Sequence, residues 1–364
     1  MTADFVSDTS GSLEPERATA GSRWRPDRWT VIGAIPVALV VAWVLFFARG
    51  TSAGSAVSEP GEFVVTLLDG LTLAGLYFIV ASGFTLIFGL MRTVNMAHGA
   101  LFLLAAYIAI EVQETMVGKE RNIAPEDVDL LSWIVPLLVG ASIAAVLGLF
   151  IFEVFLRWNQ GQELRQALIT MAIAVILADQ LLARAGGLAQ SMSWPAGVTH
   201  YVEIFSQRYP TSRLFILAIA LVVGALLWVW LNKTRMGIVI RAGVTDQSMV
   251  RALGINIGIV FAVTFFVGAF LAGMGGVMVA SFAGVATGVD GQWLLHSLVV
   301  VIIGGLGSIK GAVAGSLLYG MVTAFSPMYL PTDYAYYSII LSFALLAIVL
   351  ALRPYGLFGR PGSE

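Results

Sequence analysis

Few side chains in this chain could do chemistry, and those that could stand alone in apolar runs. Asn95 and His98 open one such run, as Val94-Asn95-Met96-Ala97-His98-Gly99, and Asp179 with Gln180 interrupts another. Asn95 suits a helix N-cap, where its side-chain oxygen accepts an early backbone N–H; His98 in the first turn would then lie near an interface, within reach of water. Polar groups at a helix start inside an apolar protein equally mark a route built from broken helices, and the spacing leaves both readings open. An unpaired Asp at mid-bilayer costs roughly 2.5 to 3.5 kcal/mol, so Asp179 should face a bundle interior, a cavity or the outer interface. Bond-breaking chemistry has no footing. His98, His200 and His296 are scattered singly, cysteine is absent, and neither a Gly-x-Ser-x-Gly elbow nor a His-Glu-x-x-His pair occurs. The string Gly304-Gly305-Leu306-Gly307-Ser308-Ile309-Lys310-Gly311 looks like a phosphate loop at a glance. Yet Lys310 follows Ile309 rather than Gly and precedes Gly rather than Ser or Thr, so any nucleotide hydrolysis must come from another polypeptide.

A polar island at 232–258 carries Lys233, Arg235, Arg241 and Arg251 inside an otherwise apolar C-terminal half. Asp246 can cap a helix start, Met249, Val250 and Leu253 then share one face, and Gly254 suits the left-handed position after the helix end. Two turns of amphipathic helix are too short to be stable in water alone. The segment therefore rests on its own membrane domain or docks on a partner. Gly307, Gly311 and Gly315 recur every four residues, and Gly276, with Gly273 beside it, stands in the same spacing to Ala272. That pattern lets helix backbones approach where lipid offers no hydrophobic drive; the break around 304–310 alternatively reads as a re-entrant element covered by protein.

The elements that must position these residues follow from composition. Hydrophobic residues make up 58% of the chain and charged ones only 12%, which marks an integral membrane protein. The formal charge of −2 gives no reason to expect nucleic acid. Residues 1–30 are rich in Ser, Thr, Ala, Pro and charge and read as a disordered tail. Apolar runs follow at 31–48, 63–91, 94–115, 133–156, 166–183, 214–231, 259–282, 293–306, 312–329 and 338–352. The pattern predicts an all-α, polytopic transmembrane bundle of about 9 to 10 segments, short or broken ones included. The run 31–48 reads as an extra N-terminal crossing or, given Ser52, Ala53, Ser55 and Ala56 after it, as a signal peptide. Residues 63–353 form the membrane domain. The positive-inside rule puts Arg23, Arg25, Arg28, Arg92, Arg157, Arg165, the island, Lys310 and Arg353 on one side, with both termini cytoplasmic. The loop 184–213, with Trp194, Pro195, Tyr201, Tyr209 and Pro210, reads as interface aromatics and turns.

Several strings, taken together and in this order, resemble the membrane permeases of branched-chain amino-acid ABC importers, the LivH type, whose relatives also move urea and short amides. They are Gly70-Leu71-Thr72-Leu73-Ala74-Gly75-Leu76-Tyr77, then Gly83-Phe84-Thr85-Leu86-Ile87-Phe88-Gly89 running to Asn95-Met96-Ala97-His98-Gly99. Arg241-Ala242, Ala252-Leu253-Gly254-Ile255-Asn256, Ala272-Gly273-Met274-Gly275-Gly276 and Gly304-Gly305-Leu306-Gly307-Ser308 with Gly311 complete the set. The resemblance implies a prokaryotic plasma (inner) membrane protein that imports a small polar solute by ATP-driven alternating access. Its implied partners are a second related permease subunit, two ATPase subunits that bind the ATP and Mg, an extracytoplasmic solute-binding protein and the surrounding lipid. This chain would hold no cofactor. Asn95, His98, Asp179 and Gln180 become pathway residues, and Arg241, Asp246, Met249, Val250, Leu253 and Gly254 the ATPase coupling set. Lys310 replaces a commoner Pro or small residue, and Asp179 stands where an amide is expected, which bears on zwitterion against neutral solute. A urea or amide permease, or an ion-coupled transporter using Asp179, are the alternatives; an intramembrane enzyme lacks a convergent nucleophile and base.

Overall fold

Apolar runs without charge close their backbone hydrogen bonds internally, which in hydrocarbon leaves the helix as the open-chain solution. The computed structural model describes residues 59–118 and 128–359. The tail 1–30 and the segment 31–48 lie outside them. Within the described residues the chain runs α1 (Pro60–Met91), α2 (Ala97–Val117), α3 (Leu131–Ile151), α4 (Glu163–Ala185), α5 (Thr211–Lys233), α6 (Arg235–Thr245), α7 (Gln247–Ala252), α8 (Ile257–Phe282), α9 (Val289–Gly304), α10 (Ile309–Tyr329) and α11 (Ser338–Leu352). Among the described residues eight helices are long and apolar enough to cross a membrane, and α9 is a shorter apolar one. The protein is a polytopic helical bundle.

α8 is buried along most of its length, among α1, α2 and α3, and α10 packs along α1. Small residues make this possible. A Cβ at Gly276 would stand 2.0 Å from the Phe102 carbonyl oxygen, so only hydrogen lets α8 lie on α2 at that distance. Phe84, Phe102, Phe152 and Phe265 fill the interior without measurable exposure or close to it. α4, α5 and α11 are peripheral.

One element was not legible in the long loop. Tyr201–Ile204 (β1) and Gln207–Pro210 (β2) pair antiparallel, Tyr201 opposite Pro210 and Ile204 opposite Gln207. Phe205 and Ser206 make the turn at φ 49° and 65°, the left-handed geometry of a two-residue hairpin. That turn usually advertises itself as Asn-Gly; Phe-Ser gives no such signal. Nor are the loop's aromatics all interface residues. Tyr209 is fully buried and meets Thr72 on α1 at 3.3 Å, and Trp194 stacks on Trp133 with ring centroids 5.6 Å apart.

Candidate functional site

The polar island folds as two helices set end to end. Thr234 caps α6 by accepting the Gly237 N–H at 3.1 Å, and Asp246 caps α7 by accepting from Ser248 N–H at 2.8 Å and Met249 N–H at 3.0 Å. Those hydrogen bonds, the Ser248 side chain's first, hold the Asp246 carboxyl below its ordinary range. Gly254 follows the helix end at φ 78°. The expected cap and stop are therefore in place, but the expected apolar face is divided. Val250 is 1% exposed and turned into the protein, while Met249 and Leu253 are 62% and 68% exposed. Successive residues on a helix are about 100° apart, so the single inward residue anchors α7 and leaves an apolar edge free. Arg241 is exposed on α6 and donates to Asn232 Oδ1 at 2.9 Å.

The island is tied to α1. The Gln247 amide donates to the Leu90 carbonyl, one of the orphan acceptors at the end of α1. Leu90 lies against Gly243 of α6, and Gly89 against Gly307. A cleft of about 710 Å³ opens beside α7, lined among others by Arg92, Glu163, Gln166, Asp246 and Arg251.

Residues 92–96 correct the expectation that α2 starts at an interface. His98 is fully buried, and its Nε2–H donates to the Val80 carbonyl at 3.1 Å. Val80 precedes Met91, the last residue of α1, by a helical rise of roughly 16 Å, so the chain climbs back into the bundle before α2 begins. The Met96 N–H donates to Thr170 of α4 at 3.1 Å, and Asn95 Oδ1 accepts the Ala97 N–H at 3.1 Å. Asn95 thus does satisfy an early donor of α2, but deep in the protein and away from solvent. Asn95 Nδ2, His98 Nδ1 and Gln166 Oε1 are buried with no hydrogen-bond partner among the described residues.

Asp179 and Gln180 are not brought to Asn95 and His98. Both are exposed on α4, and Asp179 shares its face with Leu164, Leu168, Val175 and Ile176, all exposed too. The glycines lie at backbone crossings. Gly273 faces Ala141 and Ala144, Gly307 faces Gly89, Gly311 faces Gly304, and Gly315 faces the Val300 carbonyl. The break at 304–310 is a tight turn between α9 and α10, with Ser308 accepting the Gly311 N–H at 3.1 Å, rather than a re-entrant element.

A cluster that residue spacing did not reveal lies halfway along the bundle. His296 Nδ1 and the Tyr319 hydroxyl are 2.8 Å apart, and Tyr77 stands 5.1 to 5.3 Å, ring to ring, from Tyr319, His296 and Trp293. Trp293 and His296 are one turn apart on α9, which is the local signal; Tyr77 and Tyr319 come from helices far away in sequence.

The family model for the branched-chain amino acid transport system / permease component matches residues 66–350. The chain belongs to that family. Among curated branched-chain permease relatives, the high-affinity transport system permease LivH of Salmonella typhimurium is 30% identical over 318 residues, 83% of this chain and 97% of the relative. LivH of Escherichia coli K12 is 29% identical over 315 residues, with the same coverage, and BraD of Pseudomonas aeruginosa 27% over 318 residues, covering 83% of this chain and 98% of BraD. Among solved structures, PsaBC from Streptococcus pneumoniae in complex with Fab is similar at a TM-score of 0.41 and 11% identity, over 78% of this chain and 90% of that one. This branched-chain permease relative is accordingly a multi-pass protein of the inner membrane, and its relatives are transport system permease components.

Proposed function

We propose that this chain is the permease subunit of a binding-protein-dependent ABC importer that carries a branched-chain or similar amino acid inward by alternating access. The observation that carries the reading is α7: a capped two-turn helix whose Val250 is anchored while Met249 and Leu253 remain exposed. An apolar edge on so short a helix favours a protein partner over water. The partner in this reading is an ATPase, which supplies ATP and Mg; two such subunits, a second related permease and an extracytoplasmic solute-binding protein complete the assembly. The island end then faces the cytoplasm, with both termini, and the hairpin end faces outward.

α4 supports the second permease. Asp179 lies sixteen residues past Glu163, a rise of roughly 24 Å, which falls within a hydrocarbon core of about 30 Å. A carboxylate there is costly against lipid, so the α4 face with Asp179 and Gln180 lies toward the second permease and the pathway between them. Motion of the ATPases reaches the bundle through Gln247 and Leu90 at the foot of α1.

Reconstitution tests the reading. Proteoliposomes holding the permeases and ATPases, given the loaded binding protein, should accumulate leucine only with ATP inside or around them on the ATPase side. Leucine uptake by this chain alone, unchanged when the ATPases are omitted, would sink it.

A further inference from the structure

The first turn of α9 lies below the level at which its neighbour ends. α8 has 26 residues and α9 only 16, and both meet the α6–α7 end of the bundle, so α9 begins roughly 15 Å short of the height reached by α8. The connection 283–288 descends to it, pinned by the Gln190–Val285 bridge. Gly288 takes φ 97° before the helix, and Gly291 follows in its first turn; a Cβ on either would meet nothing within 4 Å. Gln292 is exposed alongside. Space therefore lies open over this helix start, at membrane depth.

Three kinds of group lie around this helix start. Asp290, half-buried, accepts the Gly288 N–H on Oδ1 at 3.1 Å and has no second hydrogen-bond partner among the described residues. The first turn of α9 lies against α2, where a Cβ at Gly99 would stand 2.5 Å from the Asp290 carbonyl oxygen; two turns further along α2 the Tyr107 hydroxyl, in a residue only 7% exposed, has no hydrogen-bond partner among the described residues. Trp293 stacks on Phe102 at 5.5 Å and forms an apolar floor with Tyr77. A carboxylate oxygen, a phenolic donor and a helix start with its positive dipole end answer two opposite charges held on one small molecule. The aromatic floor answers an aliphatic body.

We infer that the start of α9, with Asp290, Tyr107 and Trp293, is a contact site for an α-amino-acid zwitterion on its way through the outer half of the protein. Asp290 accepts from the ammonium, Tyr107 donates to the carboxylate, and the side chain lies over Trp293. The inference rests on the amino-acid reading above.

The test uses the assembled transporter in nanodiscs, its tryptophan fluorescence titrated with L-leucine, with 4-methylpentanoate, which lacks the ammonium, and with 3-methylbutylamine, which lacks the carboxylate. Leucine should shift the emission, and Trp293→Phe should abolish that shift. Asp290→Asn and Tyr107→Phe should each raise the leucine midpoint about tenfold or more, each being the loss of a hydrogen bond involving a charged group. Asp290→Asn should leave the 4-methylpentanoate midpoint in place, and Tyr107→Phe that of 3-methylbutylamine; a fold defect would move every probe alike. Equal midpoints for the three probes, or no change in either variant, overturn the site. Wild-type ATP-driven leucine uptake is scored in parallel. Uptake with unmoved midpoints overturns the site alone, a leucine response without uptake upholds the site and overturns the importer reading, and neither response nor uptake overturns both.

Discussion

Tyr209 shows what a single residue does here. Its ring is buried, its hydroxyl lies 3.3 Å from Thr72 Oγ1, and the Arg213 guanidinium sits 5.9 Å from its centroid while pairing with Asp69. One tyrosine thus ties the hairpin to α1 and α5. Tyr209→Phe should lower stability by about 0.5 to 1.5 kcal/mol, the net worth of a hydrogen bond, read as a lower melting temperature of the purified chain and faster proteolysis at 201–210. Burial pushes the phenol from 10.0 up to about 12. A raised phenol favours the neutral form in the fold, so its contribution is whole below pH 10 and fades as pH climbs toward 12. The difference between wild type and Tyr209→Phe should therefore stay constant from pH 6 to about 9. In the sequence Tyr209 was visible only as one aromatic of a loop, because its partner Thr72 is 137 residues away. Asn95 and His98 show the converse. Their spacing announced a helix start, but whether that start met water depended on residues 92–96, whose return into the bundle has no sequence mark.

Among the elements, α6 and α7 carry the functional argument, and their parts differ in how legible they were. Asp246, the following turns and Gly254 form a local pattern, since a cap satisfies donors two and three residues on and glycine adopts positive φ without a Cβ penalty. The inward turn of Val250 is not local; it depends on what the membrane domain presents. Gly254→Pro and Arg241→Glu should each leave insertion intact while reducing transport per ATP hydrolysed, measured as the ratio of leucine uptake to phosphate release in proteoliposomes. Unchanged ratios in both would show that this segment is no lever. α8 makes a sharper demand. With the Phe102 carbonyl 2.0 Å from a Cβ at position 276, Gly276→Leu should cost at least about 1 to 3 kcal/mol, the range for overpacking, and reduce the yield of monodisperse protein in detergent.

At the scale of the molecule, the exposed face of α4 decides how the chain is completed. The protein contains no cysteine, so single substitutions report cleanly. Val175→Cys, on the Asp179 face, alkylated with a thiol-reactive benzophenone and illuminated, should cross-link to a permease neighbour in native membranes, giving a homodimer if that neighbour is a second copy and a mixed adduct if it is a related chain. A buried control, Ala272→Cys on α8, should remain uncross-linked. Failure of Val175→Cys to form any adduct would remove α4 from the interface. Legible in the residues were the helical membrane class, roughly where the crossings run, the Asp246 cap and the Gly254 stop, and the ordered strings that the family shares. Each of these depends on residues close in sequence: a run of apolar side chains must become helix in lipid, and a cap reaches only a few residues. Tertiary structure alone decided that α2 begins inside the bundle, that Asp179 faces outward, and that His296, Tyr319, Tyr77 and Trp293 share one cluster. It also set the first turn of the short helix α9, with Asp290, against Gly99 of α2. In all of these the partner comes from another helix, and a nearly uniform apolar run does not encode which of its faces will meet which neighbour.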